Sequence, residues 1–249
     1  MAQNIYDDPA FFAGYSDFPR SRIGLDGTAE WASFRALLPV VAGKRVVELG
    51  CGFGHLSRWL AAEGARSVVG YDLSEKMLAS ARAATNDPSV EYRRADLETL
   101  VLDQGSADLV VSSMTLHYLA DFARVAAMLH QAIAAGGDLV FSVEHPVYAA
   151  RAVPEWVEAD DGRQSFAIVD YSLEGPRKTD WIVDGVVKYH RTIATMLNTL
   201  TDAGFSYRAM DEWRPSPAQL SANPEWHGTE LTRPMFLLIA VHKPEGRPH

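Results

Sequence analysis

The stretch Arg45–Val46–Val47–Glu48–Leu49–Gly50–Cys51–Gly52–Phe53–Gly54 constrains this chain more than any other. It reads as a buried strand running into a glycine-rich turn, with an acidic residue near the strand's end. A helical pattern follows at once, with Leu56, Trp59, Leu60 and Ala61 at spacings of three and four. Glycine serves such a turn in two ways. It adopts backbone angles closed to other residues, and it lets a ligand approach the main chain with no side chain in the way. The helix end behind it offers free N–H groups and a positive dipole. Such a strand–turn–helix either holds a nucleotide-like ligand or is a purely structural turn.

The spacing narrows the ligand. A dinucleotide fingerprint, Gly-x-Gly-x-x-Gly, would need glycine at 55, where the chain has His55. The third glycine comes early, at Gly54, and Glu48 precedes the first. The phosphate-loop lysine is missing after Gly54, and there is no Gly-x-Ser-x-Gly elbow. The pattern Glu-x-Gly-x-Gly-x-Gly resembles the first motif of class I S-adenosylmethionine-dependent methyltransferases. That resemblance implies that the loop Gly50, Cys51, Gly52 and Gly54 packs against the methionine part of the cofactor. It implies also that Glu48 helps hold the methionine amino group. A cation held by a carboxylate makes sense where a pyrophosphate would be repelled.

From residue 45 onward strands alternate with helices, the signature of a parallel sheet covered by helices. The expected strands are Arg45–Leu49, Ser67–Tyr71, Val90–Arg93, Ala107–Ser112, Asp138–Val143 and Met235–Val241. Ser74 is an expected N-cap for a helix reaching about Ala84. Further helices are expected at Phe122–Ala134 and around Ile193–Leu200. Ligands of open α/β sheets bind beyond the carboxyl ends of the strands. Asp72, 22 residues after Gly50 and followed by Leu73, stands where a carboxylate can accept from two ribose hydroxyls. Asp96 is placed for an adenine amino group, with the Leu97 main-chain N–H beside it. Ala107–Met114 is similar to the family's fourth-strand motif, which carries Ser112 over to the methionine part. The implied fold is α/β: a Rossmann-like, seven-stranded, mostly parallel sheet whose last strand enters antiparallel.

Two segments fall outside that series. Residues 1–40 are rich in aromatics (Tyr6, Phe11, Phe12, Tyr15, Phe18, Trp31) and read as helix packed on the core or as a lid over cofactor and acceptor. Residues 147–187 carry short β-like runs around the hairpin signal Asp184–Gly185 and read as a small antiparallel cap inserted in one domain spanning 1–249.

Composition limits the partners. The chain carries a net charge of −9, so a phosphate backbone is a poor first partner. It has one cysteine, Cys51, read as a small loop filler in a reducing compartment rather than as a nucleophile. No secretory signal or membrane-length apolar run is visible, so a cytoplasmic protein is expected. No close His/Cys ligand pair suggests a metal.

The expectation is therefore methyl transfer from S-adenosylmethionine to a small organic acceptor. Its rivals are a nicotinamide-dependent oxidoreductase and a module that binds the cofactor without transferring methyl. In-line transfer is largely a matter of positioning, and a base is needed only if the acceptor loses a proton. His145, at the Glu144–His145–Pro146 turn, is the first candidate for base or acceptor-orienting group. His117, beyond the fourth strand, is the second, although a helix-surface position suits it slightly better. Arg191 is expected to pair with an acceptor carboxylate or, more simply, with an acidic neighbour.

Overall fold

The computed structural model describes residues 3–245 apart from 159, 161 and 163. Five strands form a parallel series: β1 (Arg45–Leu49), β2 (Ser67–Asp72), β3 (Val90–Arg94), β4 (Ala107–Ser113) and β5 (Ile133–Glu144). Two hairpins follow, β6 (Trp156–Glu158) with β7 (Gln164–Phe166), and β8 (Gly175–Trp181) with β9 (Val183–His190). β10 (Ser206–Glu212) and β11 (Phe236–His242) complete a seven-stranded sheet in the order β10-β11-β5-β4-β1-β2-β3. β11 runs antiparallel to both of its neighbours.

Period-two alternation divides the core into two layers. Val47, Leu49 and Val110 face the helices Phe122–Ala132 and Ile193–Asp202. Their neighbours Val46, Leu109 and Val111 face the other way, onto Phe34, Leu56 and Leu60. The chain moves outward from β1 in one direction through β2 and β3, and in the other through β4 and β5. The crevice at that reversal, beyond the carboxyl ends of β1 and β4, is where such sheets hold ligands.

The N-terminal forty residues form short helices, Pro9–Ser16, Pro19–Arg22 and Trp31–Leu37, rather than one. They bring aromatic side chains between the glycine turn and the β8–β9 hairpin. Tyr15 stacks on Phe53 at 6.4 Å and meets Trp181 edge-on at 6.0 Å. Phe11 meets the same Trp181 at 5.4 Å.

Some boundaries differ from the sequence reading. The helix expected to reach Ala134 stops at Ala132, and β5 begins at once, so the pair Gly136–Gly137 lies inside a strand. The β8–β9 turn centres on Ile182, in the left-handed region at φ +64°, and Asp184–Gly185 falls just inside β9. β9 runs on to His190, past the expected cap boundary at 187. β10 was absent from the expected series. It lies at the sheet edge with mostly solvent-accessible side chains, so it shows neither an apolar run nor clean alternation.

Candidate functional site

The turn after β1 needs its glycines for different reasons. Gly50, Gly52 and Gly54 have φ of +72°, +51° and +71°. A Cβ on Gly50 would lie 2.0 Å from Thr115 Oγ1, and one on Gly54 would lie 2.2 Å from the Tyr92 hydroxyl. A Cβ on Gly52 would meet nothing within 4 Å. The outer two glycines permit close packing, while the middle one fronts open space where a ligand can approach the backbone. Cys51 is buried against Gly70, whose own Cβ would come within 3.0 Å of the sulfur. Burial pushes the thiol's pKa well up, as suits an inert packing residue.

Two adjoining clefts flank this turn. One, about 120 Å³, is lined by Tyr6, Asp72, Leu73, Asp96, Leu97 and Tyr118 among others. The other, about 90 Å³, is lined by Arg20, Glu30, Glu48, Cys51 and His55 among others. Gly50, Gly52, Tyr15 and Ser113 border both. Asp72 Oδ2 accepts from the Gly52 N–H at 2.8 Å and Oδ1 from the Ser74 N–H at 2.9 Å. Burial nevertheless raises the Asp72 pKa against those bonds. Asp96 closes a local turn by accepting from the Glu98 N–H at 2.9 Å.

Glu48 is 2% exposed and accepts a hydrogen bond from the Ser57 hydroxyl. Burial pushes its pKa up to about 8. Opposite charge comes from Arg20, which forks onto Glu30 at 2.7 and 2.9 Å. Burial opposes the Arg20 charge, but Glu30 and Tyr15 outweigh it and hold the guanidinium firmly protonated. A zwitterionic amino-acid group entering this cleft meets both a carboxyl with no ion-pair partner among the described residues and a guanidinium. Sequence reasoning missed Arg20, because nothing local ties the N-terminal segment to the turn after β1. It also named Ser112 where the strand's alternation puts Ser113. Ser112 is fully buried and donates to the Leu49 carbonyl at 2.9 Å, while Ser113 borders both clefts.

A third cavity, about 290 Å³, lies under the β8–β9 hairpin. The single-turn helix Leu116–Tyr118 separates it from the first cleft: Leu116 and His117 line the cavity, and Tyr118 lines the cleft. His117 is buried rather than on a helix surface, and its Nδ1 has no hydrogen-bond partner among the described residues. Burial lowers its pKa to about 4, so the ring is neutral at physiological pH.

His145 is placed differently. It does not line the cavity, although Glu144 and Pro146 on either side do. Its Nδ1 accepts from the Val147 N–H at 3.0 Å, which fixes the proton on Nε2, facing Glu212 at 2.9 Å. No lone pair remains for catalysis. Arg191 makes no ion pair among the described residues; it donates instead to the carbonyls of Leu119, Ala120 and Tyr189. No group of three or more His, Cys, Asp or Glu among the described residues is arranged to hold a metal ion. Among the described residues, no helix is long and apolar enough to cross a membrane.

Residues 47–141 match the family described as "Methyltransferase domain". The structure superposes on an S-adenosylmethionine-dependent methyltransferase from Mesorhizobium loti with a TM-score of 0.85 at 52% identity, covering 88% of this chain and all of that one. An uncharacterized protein of Haemophilus influenzae is 33% identical over 97% of this chain and 98% of its own length. A ubiquinone biosynthesis O-methyltransferase of Aromatoleum aromaticum is 33% identical over 152 residues, which are 56% of this chain and 64% of that protein. The fold and the glycine turn define a class I methyltransferase. The chain belongs to the S-adenosylmethionine-dependent methyltransferase family, and S-adenosylmethionine is its cofactor.

Proposed function

We propose that the protein methylates a small organic acceptor seated in the cavity beneath the β8–β9 hairpin. The observation that carries this reading is the shared wall: one turn of helix separates the cavity from the cleft beside the glycine loop. The cavity's volume lies near the lower end of the range for small-ligand sites. The Aromatoleum aromaticum relative is, by its name, an O-methyltransferase of ubiquinone biosynthesis, which suits an organic acceptor.

The cofactor supplies an electrophilic methyl on a sulfonium, and the chain's residues do the rest. Glu48 and Arg20 are the counter-charges for the amino and carboxylate ends of the methionine part, with Gly50, Cys51, Gly52 and Gly54 as its floor. Asp72, beside Leu73, takes the ribose, and Asp96 with Leu97 takes the adenine. Residues 1–40 act as a lid, with Tyr6 and Tyr15 bordering the cleft, and the insertion after β5 caps the acceptor. Together they exclude water and fix the acceptor's approach. His117, neutral and turned to the cavity, is the group able to receive a proton from the acceptor.

The test is formation of S-adenosylhomocysteine, followed by mass spectrometry, with metabolite fractions below about 500 Da in mass, the drug-sized class such cavities hold. Turnover with small-molecule fractions is expected. Turnover confined to protein or RNA fractions would overturn the reading.

A further inference from the structure

The inner face of the β8–β9 hairpin carries more positive charge than its surroundings cancel. Arg177, Thr179 and Trp181 of β8 and Lys188 and His190 of β9 all line the cavity. In the ladder Arg177 stands directly opposite Lys188, so two cations are cross-strand neighbours on the cavity face. Like charges so placed repel unless something offsets them. Lys188 has its offset: Glu144 at 2.5 Å, and the face of Trp181 at 4.6 Å.

Arg177 has none of that kind. Its hydrogen bonds go to the main-chain carbonyls of Ala150 (2.6 Å), Leu173 (2.5 Å), Asp170 (3.2 Å) and Pro176 (3.4 Å). Arg191, directly after β9, lines the same cavity and also bonds carbonyls, with its guanidinium over Phe122 at 5.5 Å. Carbonyl dipoles satisfy N–H groups without cancelling a charge. The cavity's remaining acid, Asp180, is exposed and faces the Gly185 N–H at 3.4 Å. Arg151, also on the lining, is paired with Glu155. Two guanidinium groups therefore border the cavity with no directly ion-paired carboxylate among the described residues, although Glu98, Glu174 and Asp121 act on Arg191 from further away, in a chain whose net charge is −9.

We propose that the acceptor carries an anionic group, a carboxylate or a phosphate, for which Arg177 and Arg191 are the counter-charges. The proposal rests on the acceptor-cavity reading above and adds the chemistry of the acceptor to it. A planar carboxylate or a phosphate matches the forked donors of guanidinium, and charge-assisted bonds of this kind are the strong ones. Anchoring the anion under the hairpin leaves the rest of the acceptor to extend toward the Leu116–Tyr118 wall.

The experiment divides the small-metabolite pool on an anion-exchange resin at neutral pH and assays each fraction for S-adenosylhomocysteine formation. Acceptor activity is expected in the retained fraction. Phosphatase treatment of that fraction then separates the sources: lost activity assigns a phosphate, surviving activity a carboxylate. Activity in the unretained fraction alone would overturn the proposal while leaving the small-acceptor reading intact. No activity in any fraction would remove both.

With the purified acceptor, Arg191→Gln and Arg177→Gln are each expected to raise KM by about tenfold to a hundredfold, the loss of one charge-assisted contact. Cofactor affinity should stay unchanged, and Arg191→Lys should recover part of the loss. Because Arg177 also ties cap carbonyls together, each variant's melting temperature is measured alongside. A folded Arg191→Gln protein with KM within about twofold of wild type, less than one such contact is worth, overturns the proposal.

Discussion

Asp72 reaches from the end of β2 to the glycine turn, where its Oδ2 accepts the Gly52 main-chain N–H at 2.8 Å. Gly52 is the turn glycine that fronts open space, so the carboxylate expected to take the ribose also fixes the backbone beside it. Asp72→Asn and Asp72→Ala should then behave differently. The asparagine keeps the shape and one acceptor. It can keep only one of the two main-chain N–H bonds, so it should retain more thermal stability than the alanine but less than wild type, while weakening S-adenosylmethionine binding at least about tenfold, since charge-assisted bonds are lost. The alanine should lose both. Calorimetric titration beside a thermal melt reads the two effects, and an unchanged dissociation constant in Asp72→Asn would place the residue outside the ribose site.

Glu48 gives a prediction with a sign. Its folded pKa of about 8 lies above its ordinary value of 4.5. Between those values the folded protein holds a proton that the unfolded chain has released, so stability falls as pH rises toward 8. His117 works oppositely but lower, losing its contribution as pH falls from 6.5 toward 4. The window from 6.5 to 8 therefore isolates Glu48 from His117. Melting temperatures across it should decline in the wild type, and the slope should flatten in Glu48→Gln. Saturating S-adenosylmethionine should flatten it too, because the cofactor's ammonium favours the ionised carboxylate. An Glu48→Gln slope equal to that of the wild type would exclude Glu48 as its origin.

His145 should prove structural. Its ring caps the helix at Pro146 by accepting the Val147 N–H and faces Glu212, so His145→Ala removes that cap and should cost about 0.5–2 kcal/mol of stability. Single-turnover rates measured below the melting range should stay within about threefold of wild type, since the loss of a general base costs at least about a hundredfold. A hundredfold loss in a well-folded variant would return His145 to the chemistry.

The two histidines show where the sequence stops speaking. β1, β2, β4 and the second half of β5 were legible because buried parallel strands read as apolar runs, β3 from its place in the strand–helix alternation, and the turn because positive φ calls for glycine. Both histidines follow strand ends, and the sequence puts His145 ahead of His117. What separates them is whether a ring nitrogen is free: for His145 the Val147 N–H takes the lone pair and Glu212 of β10 faces the other nitrogen. As an exposed edge strand, β10 was the element the pattern did not reveal. Ser112 and Ser113 differ by one residue, which in a strand exchanges the buried side for the cleft. Arg20 is positioned by Glu30 and the aromatic packing of the N-terminal helices, a tertiary arrangement with no local signal.

His117 is then the histidine to test as the base. It lines the acceptor cavity, is neutral, and has a buried, unpartnered Nδ1. If the acceptor must lose a proton, His117→Ala should lower the chemical step by roughly 10²–10⁴-fold. Cofactor affinity should barely move, since the residue lines the other side of the helical wall. The pH profile is more specific. kcat/KM reports the free enzyme, where burial holds the ring near 4, so the acid limb should appear close to pH 4 rather than at 6.5. kcat reports the loaded enzyme. An anion bound under the hairpin favours the protonated ring and should move that limb upward. Two separated acid limbs, both abolished in His117→Gln, would establish the role. A variant rate within about threefold of wild type would show that positioning alone suffices for this acceptor, since removing a working base costs at least about a hundredfold.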